Sequence, residues 1–237
     1  MGLANIPPLS NPSETPQCPK GTIHDAYASI HEITFQFMPQ GNSSYIMLNT
    51  IQKYLSENLK PSRLAHTMNV ADLARSLCEK HGIDGEKGYL AGLLHDCTKY
   101  KNTAEQLTLV EKYNIILEYG VAGMEPCLHA DTGAEVARDM FAIDDEIYNA
   151  IKYHTLGREN MTDLEKIIYI ADKCEVGRDA QLAKAPLWRN MAEESLDEAL
   201  LDIISDNIEY LASKGATPHA NTLAILSQLE RSTQKEV

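Results

Sequence analysis

From Tyr45 to the end of the chain, apolar residues recur at three- and four-residue spacing and nowhere alternate. That periodicity restricts the fold to packed helices. Ile51, Leu55 and Leu59 fall four apart before Pro61 interrupts, and Ser62 is placed to cap the next helix. This second helix carries Val70, Leu73, Ala74 and Leu77 on one stripe and stops at Gly82. Further helices are expected over residues 85–97, 134–141, 145–154 and 193–211, the last ending at Gly215. Thr103 with Gln106 and Thr162 with Glu165 have the spacing of capping boxes. The expected fold class is all-α.

Residues 1–44 differ in kind. Five of the 10 prolines lie among the first 19 residues, mixed with Ser, Asn and Thr. Such a composition offers little to bury, so a Pro-rich, poorly ordered N-terminal arm is expected ahead of one domain over 45–237. Residues 30–38 suit a short strand or a short helix, and Met47 is an alternative translation start.

The chain carries 34 acidic against 21 basic residues, a formal charge of −13. A duplex nucleic acid partner requires a basic face and is not expected. A small phosphorylated substrate stays open, because metal ions and a few placed cations can meet its charge. No apolar run approaches the ~18 residues of a membrane span, and no basic segment leads an apolar stretch at the start, so a cytoplasmic location is expected. The five cysteines form no CxxC pair and read as reduced thiols, with Cys78 and Cys97 as small core fillers.

Several ionisable residues fall on the apolar faces. His66 precedes Val70, Leu73 and Leu77 by four, seven and eleven residues, and so shares their stripe. His154 follows Ile147, Ala150 and Ile151 in the same way, and Asp172 follows Leu164 and Ile168. His95 and Asp96 close the apolar stretch 90–94, and His129 opens a helix whose inward positions include Gly133, Val136 and Met140. A lone histidine of this kind is usually a core residue bonded to a carbonyl. Several helices each aiming an imidazole or a carboxylate inward are a different matter, since an ionised Asp in an apolar setting needs a partner or a metal. Imidazole and carboxylate suit Fe, Mn, Co or Zn, and helical bundles build metal sites from facing helices. His24, His31, His81 and His219 are most simply solvated.

The order His66, His95-Asp96, Asp172 resembles the H…HD…D signature of HD-domain phosphohydrolases. The words RLAHTMNVADLA, AGLLHDCTK, LHADTGAEVA and IKYHTLGRENMTDLEKIIYIADKCEVGR together resemble the YqeK branch, the symmetrical diadenosine tetraphosphate hydrolases of bacteria, over residues 47–230. Lys173, Cys174 and Val176 depart from that branch, which tends to an aromatic, an aliphatic and a proline there; Cys97 after the HD pair is also unusual.

The resemblance implies an HD-domain helical bundle with a dinuclear metal site in its core, most often iron, with Mn, Co or Zn as alternatives. His66, His95, Asp96 and Asp172 would hold one ion, and His129 with His154 the second, Asp96 bridging. The implied reaction is hydrolysis of a dinucleoside tetraphosphate at its centre by a metal-activated water, giving two nucleoside diphosphates. Asp96 and Lys99 are then the expected catalytic pair, Lys99 following Asp96 on its face. Arg63, Thr98, Lys99, Arg158 and Arg178 are the expected substrate contacts, guanidinium suiting phosphate. Asp131, Thr155 and Gly157 would shape the pocket, Asp131 orienting His129. The alternatives are an HD phosphohydrolase of another nucleotide or cyclic dinucleotide, and least of all a non-catalytic nucleotide-binding module. The partner is a small nucleotide; oligomeric state stays open, a homodimer among the options.

Overall fold

The computed structural model describes residues 43–117 and 119–233. The chain divides into two units, 1–46 and 47–237. The expectations for the arm, including residues 30–38, fall outside the described residues. Among those described, ten α-helices and no strands are found, and no helix is long and apolar enough to cross a membrane.

Helix α1 (Ser43–Asn58) buries Ile51 and Leu55 completely. Helix α2 (Pro61–Lys80) opens on proline, with Lys60 at the N-cap and no side-chain cap, so Ser62 does not take the role its position suggested. Proline suits a first turn because the N–H it lacks would be unpaired there. A turn at Gly82, whose φ of 72° favours glycine, leads into α3 (Gly85–Leu94).

The α2–α3 contact is a close one. A Cβ at Gly92 would lie 2.5 Å from the Ala71 Cα, and one at Gly88 would lie 2.8 Å from the Ala74 carbonyl oxygen. Only glycine permits that approach, which sets the backbone beneath His66 beside the backbone beneath His95. Helix α3 ends at Leu94 rather than at 97, and a series of turns carries His95–Tyr100.

Helix α4 (Thr103–Lys112) has its capping box one residue earlier than expected, on Asn102 and Glu105. Helix α5 (Leu128–Phe141) is longer than 134–141 and follows a 3-10 turn at Glu125–Cys127. Helix α6 (Asp145–Tyr153) ends with His154 as its C-cap. Helix α7 (Asp163–Cys174) carries the expected box of Thr162 and Glu165. The run expected over 193–211 is two helices, α8 (Ala185–Glu194) and α9 (Leu196–Ser213), broken at Ser195, which caps the second through Glu198 N at 3.2 Å. Helix α10 (Ala220–Thr233) carries no signal the periodicity picked out.

Helix α7 is the hub. Its Ile167, Ile168, Ile170 and Ala171 are fully buried, and α2, α3, α6, α8 and α9 pack around it. The unbroken apolar run from Ile167 to Ala171 lets this stretch of the helix be enclosed by its neighbours. Asp172 is therefore delivered from the middle of the core, beside the helices that carry the histidines.

Candidate metal centre

Five elements converge on one buried cluster. Helix α2 supplies His66, the turn after α3 supplies His95 and Asp96, the first turn of α5 supplies His129, the C-cap of α6 supplies His154, and α7 supplies Asp172; all six are buried. Asp96 stands between two groups of donors. Its Oδ2 faces His66 Nε2 at 3.9 Å and His95 Nε2 at 3.4 Å, while its Oδ1 faces His129 Nε2 at 3.1 Å and His154 Nε2 at 3.7 Å. Asp172 Oδ1 closes on the first group, 3.0 Å from His66 Nε2 and 3.8 Å from His95 Nε2. The triads His66–His95–Asp96 and Asp96–His129–His154 each bring their ligand atoms within 4.8 Å of one another.

The tautomers identify what this cluster lacks. His95, His129 and His154 each donate Nδ1–H to a carbonyl in the turn before them, at Gly92 (2.7 Å), Pro126 (2.7 Å) and Ile151 (2.6 Å). A neutral imidazole that donates from Nδ1 presents a lone pair at Nε2. Burial keeps His154 below its ordinary value and pushes His129 down to about 4, so both rings are neutral. The Nε2 lone pairs of His129 and His154 thus confront one another at 3.1 Å, with Asp96 Oδ1 beside them. The His95 Nε2 is buried, has no hydrogen-bond partner among the described residues, and also faces carboxylate oxygens. Lone pairs packed against carboxylates call for cations between them. The donor set fits two divalent ions, and it is all nitrogen and oxygen.

The carboxylates are ionised despite their depth. Burial would raise Asp96, but the imidazoles of His95, His129 and His154 hold it well below the usual carboxylate range. Asp172 is likewise held low, against its burial, by Lys173, His66 and His95. His66 is oriented differently from the other rings. Its Nδ1 meets Glu175 Oε1 at 3.0 Å, and Glu175 is itself held by Asn69 Nδ2 at 2.8 Å and by the Gly177 amide. A carboxylate behind a histidine fixes the ring and strengthens it as a ligand. Burial lowers the His66 pKa, but the bonds to Asp172 and Glu175 outweigh that and leave it raised. Glu175 and Asn69 were not singled out from the sequence. The signal that could have found them is spacing, since Asn69 lies three residues after His66 and Glu175 three after Asp172.

Cations rim the cluster. Arg63 Nη1 donates to Asp96 Oδ2 at 2.8 Å, and Lys173 Nζ and Arg178 Nη2 donate to Asp172 at 2.6 and 3.3 Å. Lys99 Nζ lies 3.0–3.1 Å from the His129 ring nitrogens and 3.3 Å from the Pro126 carbonyl oxygen. Burial lowers its pKa, against the pull of Asp96 and Asp172.

Other expected residues are elsewhere. Arg158 forms a two-bond fork with the buried Glu165, at 2.9 and 2.7 Å, and is committed to holding the start of α7. Thr98 is fully buried and bonded to the His129 carbonyl and to Thr132, so its hydroxyl supports the α5 backbone. Asp131 accepts from Tyr119, while His129 Nδ1 goes to Pro126. Asp131 is therefore not the orienting group for His129. Met140 is half exposed rather than inward. Cys97 is sealed, its thiol pushed up to about 12 by burial, and Cys78 is a core filler. His81 bonds the Ala192 carbonyl instead of solvent, and His219 packs against Tyr119; His24 and His31 lie outside the described residues.

The sequence model of the HD domain matches residues 63–177, which enclose all six residues of the buried cluster. The chain is 34% identical over 186 residues to the symmetrical bis(5'-nucleosyl)-tetraphosphatase of Halalkalibacterium halodurans, covering 77% of this chain and 94% of that protein. It is 33% identical over 190 residues to the same-named protein of Staphylococcus aureus, covering 78% and 95%. The chain belongs to the HD-domain family of symmetrical bis(5'-nucleosyl)-tetraphosphatases. His66, His95-Asp96 and Asp172, the residues whose order resembles the H…HD…D signature, lie inside the matched range and gather around Asp96 here. A crystal structure from Clostridium acetobutylicum, described as a "predicted HD superfamily hydrolase involved in NAD metabolism", superposes with a TM-score of 0.74 at 34% identity, covering 78% of this chain and 97% of that one.

Proposed function

We propose that this protein hydrolyses dinucleoside tetraphosphates symmetrically, diadenosine tetraphosphate giving two ADP, at two divalent metal ions that share Asp96. The observation that carries this reading is the convergence of three Nε2 lone pairs on the two oxygens of one carboxylate. The likeness to tetraphosphatases along almost their whole length supports the choice of substrate.

In this reading His66, His95, Asp96 and Asp172 hold one ion, and Asp96, His129 and His154 the other. When bound, such a pair lowers the pKa of a water and neutralises phosphoryl charge. A water so activated would give its oxygen to one of the two central phosphorus atoms and its proton to solvent, while the central phosphoanhydride breaks and the second ADP leaves. The protein's own groups prepare the geometry. Arg63 fixes Asp96 through Oδ2, and Glu175 fixes His66. Lys99, at the His129 edge, turns its ammonium to the phosphate chain and offsets the charge that gathers on the departing diphosphate. Arg178, whose Nη2 donates to Asp172 and whose Nε faces Glu175 at 3.9 Å, takes an outer phosphate oxygen with the outer part of its guanidinium. Arg158 has no part in binding, because its fork is already filled.

The ligand chemistry suits Fe, Mn, Co and Zn alike. Iron is the native metal in this proposal, on the family resemblance, and the site is a cytoplasmic one. The test is product analysis of diadenosine tetraphosphate with anaerobically purified, iron-loaded protein. Two ADP per substrate are expected. ATP plus AMP would place the cut at the wrong bond, and no turnover with two metals bound would sink the proposal.

A further inference from the structure

Helix α4 buries one side chain, and it is an amide. Gln106 is 4% exposed, while every other residue of the helix is exposed or half-buried. Packing alone would put an aliphatic chain at such a position, because a buried amide costs free energy unless its hydrogen bonds are met. They are met at both ends. Gln106 Nε2 donates to the Thr98 carbonyl at 2.8 Å, and its Oε1 accepts from the Thr132 hydroxyl. Thr98 Oγ1 in turn lies 3.0 Å from Thr132 Oγ1 and 3.1 Å from the His129 carbonyl oxygen. The capping box of α4 uses Asn102 and Glu105, so Gln106 takes no part in closing its own helix.

The direction of each bond follows from which atoms can donate. A carbonyl only accepts, so Gln106 turns its NH2 to Thr98 and its oxygen to Thr132. Thr132 then gives its one hydroxyl proton to Gln106, and Thr98 gives its own to Thr132 or to the His129 carbonyl. Both of those acceptors belong to α5. The Thr98 carbonyl takes a second bond from the Lys101 amide at 3.0 Å, so both its lone pairs are used. The bonds thus form a ring that starts and ends on Thr98. All three side chains are buried, where each bond is stronger than it would be in water.

This ring joins the two elements on which the second metal position depends. Thr98 stands between Asp96 and Lys99 in the series of turns after α3, and His129 is in the first turn of α5. Across the join, Asp96 Oδ1 meets His129 Nε2 at 3.1 Å, and Lys99 Nζ meets the same ring at 3.0–3.1 Å. The first position is built differently, since beyond Asp96 its residues are His66, His95 and Asp172, none of them on α5. We infer that Gln106, acting through Thr98 and Thr132, is a positioning residue for the second metal position, setting the affinity there and leaving the first nearly untouched. The inference rests on the two-metal reading and deepens it, because it names a support that only one of the two positions has.

The test is calorimetric titration of the full-length apoprotein with Co(II), on wild type, Gln106→Met, Thr132→Val and Thr132→Ser. His129→Ala, which loses a ligand at the second position alone, identifies which binding step is which. Gln106→Met and Thr132→Val keep the volume and lose the bonds. Each should weaken the second step about 10–100-fold, the scale of removing a group that orients a ligand, while the first changes by less than about twofold. Thr132→Ser keeps the hydroxyl and should recover most of the loss. If Gln106→Met does not fold, the two Thr132 variants decide the matter. Equal weakening of both steps would make Gln106 a residue of general stability and overturn the inference. An unchanged second step, or Thr132→Ser as weak as Thr132→Val, overturns it too. Wild type that takes up two ions in any of those cases leaves the two-metal reading standing alone. Wild type that takes up fewer than two removes both.

Discussion

His129 and His154 present their Nε2 atoms to each other at 3.1 Å, and in each ring the Nδ1 proton is spent on a carbonyl of its own helical turn. Neither nitrogen can donate to the other; the Lys99 ammonium 3.1 Å from His129 Nε2 and the Thr155 hydroxyl 3.1 Å from His154 Nε2 meet part of that demand, and a metal ion between the rings would meet the rest. Metal binding is therefore linked to stability: an ion held at a hundred times its Kd adds about 2.7 kcal/mol to the folded state. Chelator-treated protein should melt several degrees below the loaded form in calorimetry, and restoring one of Fe, Mn, Co or Zn should recover the difference. Equal melting temperatures would count against the metal centre.

Asp96 is the one carboxylate shared by both triads. Asp96→Asn removes the charge while keeping nearly the same shape, and it should abolish turnover and reduce metal content as read by elemental analysis. Lys99→Ala, by contrast, should lower kcat by about 10²-fold, the scale of one lost electrostatic contact to developing charge, while both metals remain. Loss of metal in the Lys99 variant would show that its contact with His129 is structural.

Glu175 touches His66 and nothing that reacts, which makes it a positioning residue. Glu175→Ala should weaken metal affinity by about 10–100-fold, the usual effect of removing a carboxylate behind a ligand histidine. Glu175→Gln, which can still accept from Nδ1, should recover part of it. Titration of apoprotein with Mn or Co separates the two variants.

Gly92 sits where α2 and α3 touch. In Gly92→Ala the new methyl would lie 2.5 Å from the Ala71 Cα, a backbone atom that cannot swing aside. Destabilisation of about 1–3 kcal/mol or more is expected in urea unfolding. Because the same contact sets the spacing of His66 and His95, metal affinity should fall with it.

Asp144 caps α6, accepting from Ile147 N at 2.9 Å and pairing with Lys87 at 2.8 Å. Burial is the largest single influence and opposes its ionisation, but the Ile147 amide, the Lys87 ammonium and the Glu146 amide together hold the carboxyl below its usual 3.8. Its stabilisation is present above pH 3.8 and is lost as the pH falls through the lower folded value. Asp144→Ala should cost about 1 kcal/mol at pH 6, nearly all from the cap, since the solvent-exposed ion pair adds little. The gap between the two proteins should narrow in melts at pH 3.

Much of this was legible in the linear chain because helical periodicity is local. His66, His154 and Asp172 were recognisable as inward-facing from their three- and four-residue offsets to Val70, Ile151 and Ile168, and each is buried. The Thr162–Glu165 box was likewise readable, being closed within one turn. Helix ends were less so. Leu94 ends α3 before the HD pair, and Ser195 divides a run whose apolar residues keep their spacing across the break.

The sequence alone determined an all-α chain with imidazoles and carboxylates on its apolar stripes, together with the family signature, because each depends only on spacing along the chain. The tertiary structure decided which oxygen of Asp96 meets which histidine, and that Glu175 rather than Asp131 orients a ligand ring. It also decided that Arg158 is bound to Glu165, and that Gln106 reaches Thr132. These are contacts between elements far apart in sequence, created by the close approach at Gly92 and the burial of α7, and no local pattern encodes their partners.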